Sequence, residues 1–335
     1  MKGNKSENFW QKLERPIIAL GPLYDVTDAA FRRIIAKYSK ADIMFTEFAS
    51  ADGLVHPIGG PKVRELLRYS EEERPIVAQL FTSRPEKMRQ AAALCAELGF
   101  DGVDINMGCP DKTIEKQGCG AALLKNLPLA QELIKAAQAG APALPISVKT
   151  RIGYNQIEIE EIIPALLAAR PAALTLHLRT RKEMSKALAR WELMPRIMEL
   201  AKGSGTIILG NGDVATPAEA REKVAQYGGD GAMIGRGIFG NPWLFNLEAG
   251  PPSAKERLKV LIEHIELFDQ LHGERKNFAV MKKHFKAYLP AEALAKEGLV
   301  GFDGAHNLRD ELMAAPTATE AVAIIKRFLN QSDLL

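Results

Sequence analysis

The chain has 335 residues, of which 47% are hydrophobic and 25% are charged, and its formal net charge at pH 7 is +3. These values are typical of a soluble globular protein and argue against disorder, a collagen-like chain or a polybasic binder. We expect no membrane span, since no window holds the roughly 18 apolar residues it needs, and no secretory signal in residues 1–15. The three cysteines, Cys95, Cys109 and Cys119, are too few for a disulfide framework and indicate a reducing cytoplasm.

Eight short apolar runs rich in Val, Ile and Thr recur along the first 235 residues. Near-continuous hydrophobicity of this kind is typical of strands buried on both faces of a parallel sheet. The predicted strands are Ile17–Leu23, Ile43–Phe48, Pro75–Phe81, Gly102–Met107, Pro145–Thr150, Ala173–Leu178, Thr206–Gly210 and Gly231–Gly235.

Segments with helical spacing of apolar residues lie between most of these runs. Two of them have start signals in which a hydroxyl residue precedes a proline and a glutamate: Thr216 with Glu219, and Ser83 with Glu86. The Gly-rich residues 49–74 predict an irregular excursion. The predicted helices are Asp28–Tyr38, Pro85–Leu98, Pro128–Gln138, Ile157–Ala168, Met194–Ala201 and Pro217–Tyr227.

Strands alternating with helices over about 230 residues predict an α/β fold, a closed (β/α)₈ TIM barrel. An open doubly wound sheet is the alternative, but it usually has a GxGxxG fingerprint after its first strand. The first predicted strand ends instead in Gly21-Pro22-Leu23-Tyr24. The sequence therefore favours the barrel.

The pattern changes after Gly250-Pro251-Pro252, a punctuation that is followed by helical spacing alone. We predict a barrel over residues 1–250 and a small all-helical domain over residues 251–335. The predicted helices of that domain are Lys255–Leu271, Phe278–Tyr288, Ala305–Met313 and Thr317–Leu329.

Polar or ionisable side chains follow nearly every predicted strand. In (β/α)₈ barrels the active site forms at the C-terminal ends of the strands, so packing alone explains this shared position poorly. We predict an active site there. The strand-end residues are Leu23, Glu47, Gln79, Asn106-Met107-Gly108-Cys109, Lys149, Arg151, His177, Arg179, Asn211-Gly212-Asp213 and Gly235-Arg236.

The last two turns indicate a phosphate. Asn211-Gly212-Asp213 and Gly235-Arg236-Gly237 follow the seventh and eighth strands, where such barrels often bind phosphate through backbone N–H groups. Lys149 and Arg151 alternate along the fifth strand and suit the negative charge of a reduced flavin mononucleotide (FMN). Gln79 with Asn106 offers amide donors and acceptors suited to a flavin or a uracil.

Cys109 lies in the turn after the fourth predicted strand, between Gly108 and Pro110. A cysteine in that position is either a reactive acid or nucleophile, or a small buried hydrophobe. We expect Cys95 and Cys119 to serve packing. The spacing of the three thiols does not match a zinc site.

These motifs resemble those of the tRNA-dihydrouridine synthases, flavoenzymes that reduce uridine in transfer RNA. The resemblance covers roughly residues 16–246, and the C-terminal helices agree in kind with that family's tRNA-binding domain. Two departures, Tyr24 after the first strand and Leu178 in place of glycine, are expected to enlarge the rim of the site. The collinear motifs are Asp104-Ile105-Asn106-Met107-Gly108-Cys109-Pro110, Lys149-Thr150-Arg151, His177-Leu178-Arg179-Thr180-Arg181, Asn211-Gly212-Asp213 and Met233-Ile234-Gly235-Arg236-Gly237.

The resemblance implies that FMN is reduced by NADPH or NADH and passes hydride to a flipped-out uridine, in the D-loop of tRNA, while Cys109 acts as general acid. It implies two groups of binding residues. The FMN-binding residues would be Pro22, Leu23, Tyr24, Gln79, Lys149, His177, Asn211, Gly212, Asp213, Gly235 and Arg236. The substrate-binding residues would be Asn106, Arg151, Arg179, Arg181, Lys282, Lys283 and Lys286.

The charge pattern gives the RNA partner local support. Residues 251–335 are neutral as a whole, but six basic residues cluster at Arg275, Lys276, Lys282, Lys283, His284 and Lys286. A stripe of this kind is enough for phosphate contacts. We expect a monomer. The alternatives are an FMN barrel acting on a free dihydropyrimidine or other small molecule, and a catalytically inactive RNA-binding protein.

Overall fold

The structure is a computed structural model, and it describes residues 8–246, 251–273, 275–289 and 302–331. These residues fall into two compact units, the first within residues 1–22 and 41–235 and the second within residues 23–40 and 236–335. The predicted limit between two domains at residue 250 stays a prediction. None of the described helices combines the length and the apolar character needed to cross a membrane.

All the strands in the part of the chain that the structure describes belong to one parallel sheet in the first unit. They are β1 (Ile17–Leu20), β2 (Met44–Phe45), β3 (Ala49–Ser50), β4 (Ile76–Phe81), β5 (Gly102–Met107), β6 (Ile146–Arg151), β7 (Ala173–His177), β8 (Ile207–Asn211) and β9 (Gly231–Ile234).

The strand order is β1-β9-β8-β7-β6-β5-β4-β2, with β3 beside β4. A parallel bridge between Ala19 and Ile43 joins the two ends of this order and closes the ring. Every residue of β1, β5 and β9 is buried, as expected for strands that are covered on both faces. The predicted (β/α)₈ barrel is confirmed.

The helices occupy the segments between and after the strands, and short 3₁₀ turns supplement them. The helices are α1 (Phe9–Lys12), α2 (Ala29–Tyr38), α3 (Ala51–Leu54), α4 (Gly60–Arg64), α5 (Pro85–Glu97), α6 (Lys112–Glu115), α7 (Leu127–Gly140), α8 (Ile159–Ala168), α9 (Met194–Ala201), α10 (Pro217–Tyr227), α11 (Ala254–His272), α12 (Lys282–Tyr288), α13 (Ala305–Ala314) and α14 (Ala318–Gln331).

The second predicted strand, Ile43–Phe48, is longer than the observed strand β2. Within this segment only Met44 and Phe45 (β2) pair with β4, because the N–H of Gln79 donates to the hydroxyl of Thr46 instead of a backbone carbonyl. The ladder is interrupted there and resumes in β3. The predicted irregular excursion over residues 49–74 contains β3, α3, α4 and two 3₁₀ turns.

One of the two predicted helix start signals caps its helix and the other does not. The Thr216 side chain caps α10 by accepting from the N–H of Glu219. In a full capping box the Glu219 carboxylate would accept from the N–H of Thr216, but here it accepts from the N–H of Ala215. Ser83 does not cap α5, since its hydroxyl donates to the carbonyl of Gln117. The residue before a proline is held extended, and Arg84 therefore takes the cap position itself.

An apolar cluster fills one end of the barrel. It includes Trp10 of α1, fully buried, together with residues near the starts of several strands, among them Ile17, Val77 and Ala173. Asn106, Lys149 and Asn211 lie instead toward the C-terminal ends of their strands.

The regular elements described in the second unit are helices and 3₁₀ turns, and they include α2, which follows β1 in the chain. Asp28 caps α2 by accepting from the N–H of Phe31. The Phe31 ring stacks on the His264 ring of α11, with centroids 5.0 Å apart. Lys37 and Tyr38 at the end of α2 both bind the carboxylate of Glu263, at 2.6 and 2.7 Å.

The C-terminal elements agree with the predicted helices, with one difference. The segment predicted as the helix Phe278–Tyr288 is a 3₁₀ turn, Phe278–Val280, followed by α12. Ser253 and Glu256 form a complete capping box at the start of α11.

Candidate active site

Strand register brings the predicted polar residues of the first unit together. Asn106 of β5 pairs with Lys149 of β6, Arg151 pairs with His177 of β7, and His177 pairs with Asn211 of β8. These residues stand at the C-terminal ends of four neighbouring strands. The predicted common position of these side chains is therefore observed within the first unit.

A chain of buried side chains runs across β4, β5 and β6. The hydroxyl of Ser147 donates to Oδ1 of Asp104 at 2.7 Å, and Nε2 of Gln79 donates to Oδ2 of the same carboxylate at 2.8 Å. Nδ2 of Asn106 then donates to Oε1 of Gln79 at 3.0 Å. Every donor in this chain points toward Asp104.

The Cys109 loop, residues 107–110, is fixed by the other end of Asn106. Its Oδ1 accepts from the N–H of Gly108 at 3.2 Å and from the N–H of Cys109 at 2.9 Å. Nε of Arg151 donates to the carbonyl of Gly108 at 2.7 Å. The turn is thus held through both its N–H groups and a carbonyl.

Gly120 lets the chain pass close to Cys109. The carbonyl of Cys109 accepts from the N–H of Ala121 at 2.9 Å. A Cβ atom on Gly120 would lie 2.6 Å from that carbonyl oxygen, and the φ of Gly120 is +61°. Both the contact and the dihedral angle favour glycine at this position.

The Cys109 thiol is free and partly buried. Burial raises the pKa of Cys109, against the hydrogen bond from the Asp111 N–H and the charges of Arg151 and Lys149, which act in the opposite direction. The thiol is therefore protonated at neutral pH. This is the state that a general acid needs, and it opposes a role as a thiolate nucleophile.

Lys149 points into the barrel interior. Its Nζ donates to Oδ1 of Asn211 at 3.1 Å, and Nδ2 of Asn211 donates to the carbonyl of Met233 at 2.8 Å. Burial lowers the pKa of Lys149 to about 8, and the charge of Arg151 adds to this effect. Lys149 therefore still carries most of its positive charge at neutral pH.

The three predicted substrate-binding arginines of the first unit all bind protein groups. Arg151 donates to the carbonyls of Gly108, Thr180 and Met184. Arg179 pairs with Asp213 through both carboxylate oxygens. Arg181 pairs with Glu115 of α6. Their contact with a substrate stays a prediction.

His177 and Gly212 adjoin the Arg179–Asp213 pair. Nη1 of Arg179 lies 3.1 Å from Nε2 of His177. Since a guanidinium only donates, Nε2 is the acceptor, and the proton of a neutral ring lies on Nδ1. A Cβ on Gly212 would meet Ala189 at 2.8 Å, so this turn also depends on glycine.

Other predicted residues lie elsewhere in the chain. Pro22 and Gly235 are the last residues of the two segments that form the first unit. Leu23, Tyr24 and Arg236 belong to the second unit. Tyr24 is 52% exposed, and a Cβ on Gly235 would meet open space.

Leu178 corrects an expectation about the rim. Its side chain is fully buried, and its N–H donates to the carbonyl of Asn211. Leu178 therefore fills the interior. The expectation from the sequence, that it enlarges the rim of the site, is wrong.

The predicted basic cluster of the second unit is smaller than expected. His284 is fully buried, and burial lowers its pKa to about 3, so it has no charge at neutral pH. Lys282 donates to the carbonyl of Met313 at 2.7 Å and so binds the end of α13. Lys283 and Lys286 are exposed, with the ammonium of Lys283 3.6 Å from Asp25.

Sequence reasoning overlooked Asp104 as a site residue, although the motif contains it. A signal was present, since residues two apart in a strand share a face and Asp104 is two residues before Asn106. A carboxylate in an otherwise apolar buried strand needs hydrogen-bond partners. Burial raises the pKa of Asp104 to about 6, against the hydrogen bonds from Ser147 and Gln79.

Comparisons with known proteins agree with this geometry. Residues 17–332 match the family model of the dihydrouridine synthases. The chain is 40% identical over 326 residues to a probable tRNA-dihydrouridine synthase 2 of Bacillus subtilis, covering 96% of this chain and 97% of that protein. It is 39% identical over 331 residues to a probable tRNA-dihydrouridine synthase of Staphylococcus aureus, covering 98% and 97%.

Two solved structures share the fold at 13% identity. A variant of morphinone reductase in complex with tetrahydroNAD has a TM-score of 0.50 and covers 71% of this chain and 88% of its own. A 2-naphthoyl-CoA reductase complex has a TM-score of 0.52 and covers 68% of this chain and 49% of its own. The likeness to these two concerns the fold alone, whereas the family model and the close relatives span nearly the whole sequence. This chain belongs to the dihydrouridine synthase family.

Proposed function

We propose that the protein is a cytoplasmic tRNA-dihydrouridine synthase that uses FMN and NADPH to reduce the C5–C6 double bond of a tRNA uridine, giving 5,6-dihydrouridine. The observation that carries the proposal is the Cys109 loop. It presents a protonated thiol beside the strand ends that hold Lys149 and Asn211. Both named relatives are described as probable tRNA-dihydrouridine synthases.

The residues at the strand ends fit a flavin. A partly buried ammonium at Lys149 and the amides of Gln79 and Asn211 supply the mixture of donors and acceptors that an isoalloxazine ring requires. Gly235, where a Cβ would meet open space, leaves room for the approach of a bulky group. When bound, FMN would accept hydride from NADPH and supply it to C6 of the uracil.

The chain's own groups would complete the addition. Cys109 would protonate C5 of the uracil from the opposite face, and its raised pKa keeps that proton available. The Lys149 ammonium would stabilise negative charge on the uracil carbonyl, since a cation in a desolvated site acts strongly on developing charge. Arg151 would help indirectly, by holding the carbonyl of Gly108.

The second unit would bind the tRNA backbone. Lys283 and Lys286 are exposed on α12, one turn apart, and Lys276 precedes them in the chain. Phosphate contacts of this kind supply affinity without sequence information. Replacing Lys283 and Lys286 with glutamate should weaken tRNA binding and lower the salt dependence of the binding constant.

An absorbance spectrum of the purified protein tests this function. The expected result is an oxidised flavin spectrum that NADPH bleaches and that an unmodified tRNA transcript restores, while free uridine does not. NADH in place of NADPH should bleach the flavin more slowly, and light scattering should show a monomer. A colourless protein that FMN cannot reconstitute would overturn the proposal. Restoration by free uridine would establish instead the alternative enzyme that acts on a small molecule.

A further inference from the structure

The hydrogen bonds between the Cys109 loop and Asp104 are all donated in one direction, from the loop toward Asp104. Ser147 and Gln79 both donate to the carboxylate, Asn106 donates to Gln79, and the loop's N–H groups donate to Asn106. Gln79 and Asn106 are amides, whose two ends differ only in donor and acceptor character. Nothing in the shape of an amide fixes which end faces which neighbour.

An ionised carboxylate only accepts hydrogen bonds. Asp104 therefore requires the NH₂ end of Gln79, which leaves the carbonyl of Gln79 to face Asn106. Asn106 must in turn present its NH₂ to Gln79 and its carbonyl to the loop. The N–H groups of Gly108 and Cys109 need that carbonyl, because a second donor in its place would leave them unpaired.

Burial makes this dependence strict. Gln79 is 0%, Asp104 1% and Ser147 2% exposed, so water has little access to an amide in the wrong orientation. The described hydrogen bonds link Asp104 to the Cys109 loop through Gln79 and Asn106. The Asp104 side chain acts through these two intermediate amides.

We propose that Asp104 is a positioning residue that sets the orientation of Gln79 and Asn106 and so holds the Cys109 loop in place. The inference rests on the proposed function in one respect only, the role of Cys109 as the general acid. The loop's geometry can be measured without any turnover.

Two single substitutions should leave the direction unchanged. In Asp104→Asn, the new NH₂ can face Ser147, whose hydroxyl also accepts, while the carbonyl still accepts from Gln79. In Ser147→Ala, the Asp104 carboxylate still accepts from Gln79. Each variant loses one hydrogen bond or a charge, but the Cys109 loop keeps its acceptor.

The double variant Asp104→Asn/Ser147→Ala should weaken the preference for this direction. Alanine offers no acceptor, so the NH₂ of the new asparagine is unpaired in the original direction and is paired with Gln79 only when both amides flip. In the flipped state the NH₂ of Asn106 faces the N–H groups of Gly108 and Cys109, and the loop is released. A third substitution, Asn106→Asp, should restore the loop, because a carboxylate at that position accepts both from the flipped Gln79 and from the loop.

Alkylation of Cys109 by iodoacetamide at pH 7.5, followed by peptide mass spectrometry, measures how accessible the thiol of the loop is. The buried Cys95 and Cys119 are controls that react only on unfolding. We expect both single variants within about twofold of wild type, the double variant faster by about tenfold, and the triple variant near wild type. Additive effects of the two single substitutions, or a triple variant as reactive as the double, would overturn the proposal.

If the double variant is too unstable to purify, the triple variant decides alone. A reversed chain predicts a folded protein with the wild-type alkylation rate, whereas a purely structural Asp104 predicts the same instability as the double. These outcomes are independent of the proposed function, since a protein that lacks dihydrouridine synthase activity still gives an alkylation rate.

Discussion

The two units bury polar side chains in different ways. In the barrel unit, Asp104, Gln79 and Asn106 each make hydrogen bonds that position a neighbouring group. In the helical unit, Nε2 of His264 and both ring nitrogens of His284 have no hydrogen-bond partner among the described residues. The histidine rings pack as aromatic volume, whereas the barrel's polar groups determine geometry.

This difference gives each unit its own sensitivity. A buried ring without a partner is tolerated only in its neutral form, since burial disfavours its charge. A buried network with every group paired is sensitive to the loss of a single member. Substitutions in the barrel should therefore alter chemistry, and protonation should affect the helical unit.

The largest effect is expected from Cys109→Ala. Turnover of tRNA should fall by about 10²–10⁴-fold, because the proton for C5 is lost, while the flavin stays bound. Single-turnover oxidation of the reduced protein by tRNA measures the rate. Cys119→Ala, which removes a thiol from the same region, is the control. Loss of the flavin in Cys109→Ala would contradict the assigned role.

Acid should weaken the helical unit selectively. The folded pKa of His284 is lowered from 6.5 to about 3, so between these values the unfolded state binds a proton that the folded state does not. The free energy of unfolding should therefore fall as pH drops from 6.5 toward 3, by on the order of a few kcal/mol at pH 4. Hydrogen exchange of peptides from α11 and α12, compared with β5 and β6, measures it.

Two histidine variants separate burial from charge in this test. His284→Phe should remove much of the pH dependence, since the ring volume remains while the titratable group is lost. His306→Gln should leave it intact, because His306 is 68% exposed in its side chain and lies on α13 of the same unit. Equal acid sensitivity of barrel and helical peptides would refute the distinction between the units.

Within the barrel, Gly120→Ala should affect both stability and turnover. Gly120 and Gly203 both have positive φ angles, but a Cβ on Gly203 would meet nothing within 4 Å. Gly203→Ala should cost about 1–2 kcal/mol of unfolding free energy from backbone strain alone. Gly120→Ala should cost about 1 kcal/mol more and slow turnover, because it displaces the Cys109 carbonyl. Urea unfolding with a parallel activity assay compares the two.

The smallest effects should come from exposed ion pairs, and they should be alike in both units. Arg196 pairs with Glu160 and Glu199 in the barrel unit, and Lys37 pairs with Glu263 in the helical unit. Arg196→Ala and Lys37→Ala should each change the free energy of unfolding by less than about 1 kcal/mol. A much larger loss in either variant would show that the contrast between the units extends beyond their buried groups.

Local patterns predicted the barrel well. The bounds of α9 and α10 coincide with the predicted helices, and β5 coincides with its predicted strand. The second strand was misplaced because one side chain, the hydroxyl of Thr46, replaces a backbone acceptor. Hydrophobic periodicity carries no information about such an exchange.

The sequence located the site residues better than it identified the partners of their side chains. The sequence predicted that Arg179 and Arg181 follow the same strand, but their partners Asp213 and Glu115 are 34 and 66 residues away in the chain. Pairing over such distances depends on the closed fold. His284 shows the same limit, since a run of basic residues suggests a solvated face while the packing of α12 buries this member.

The position of α2 has a consequence for the order of synthesis. Its partner Glu263 is 226 residues after Lys37, so a ribosome that adds about 5–20 residues per second makes α2 some tens of seconds before α11. During that interval Phe31, Ile34 and Ile35, buried in the finished protein, have no α11 to cover them. The apolar residues of α2 are therefore made well before the helix that they pack against in the finished protein.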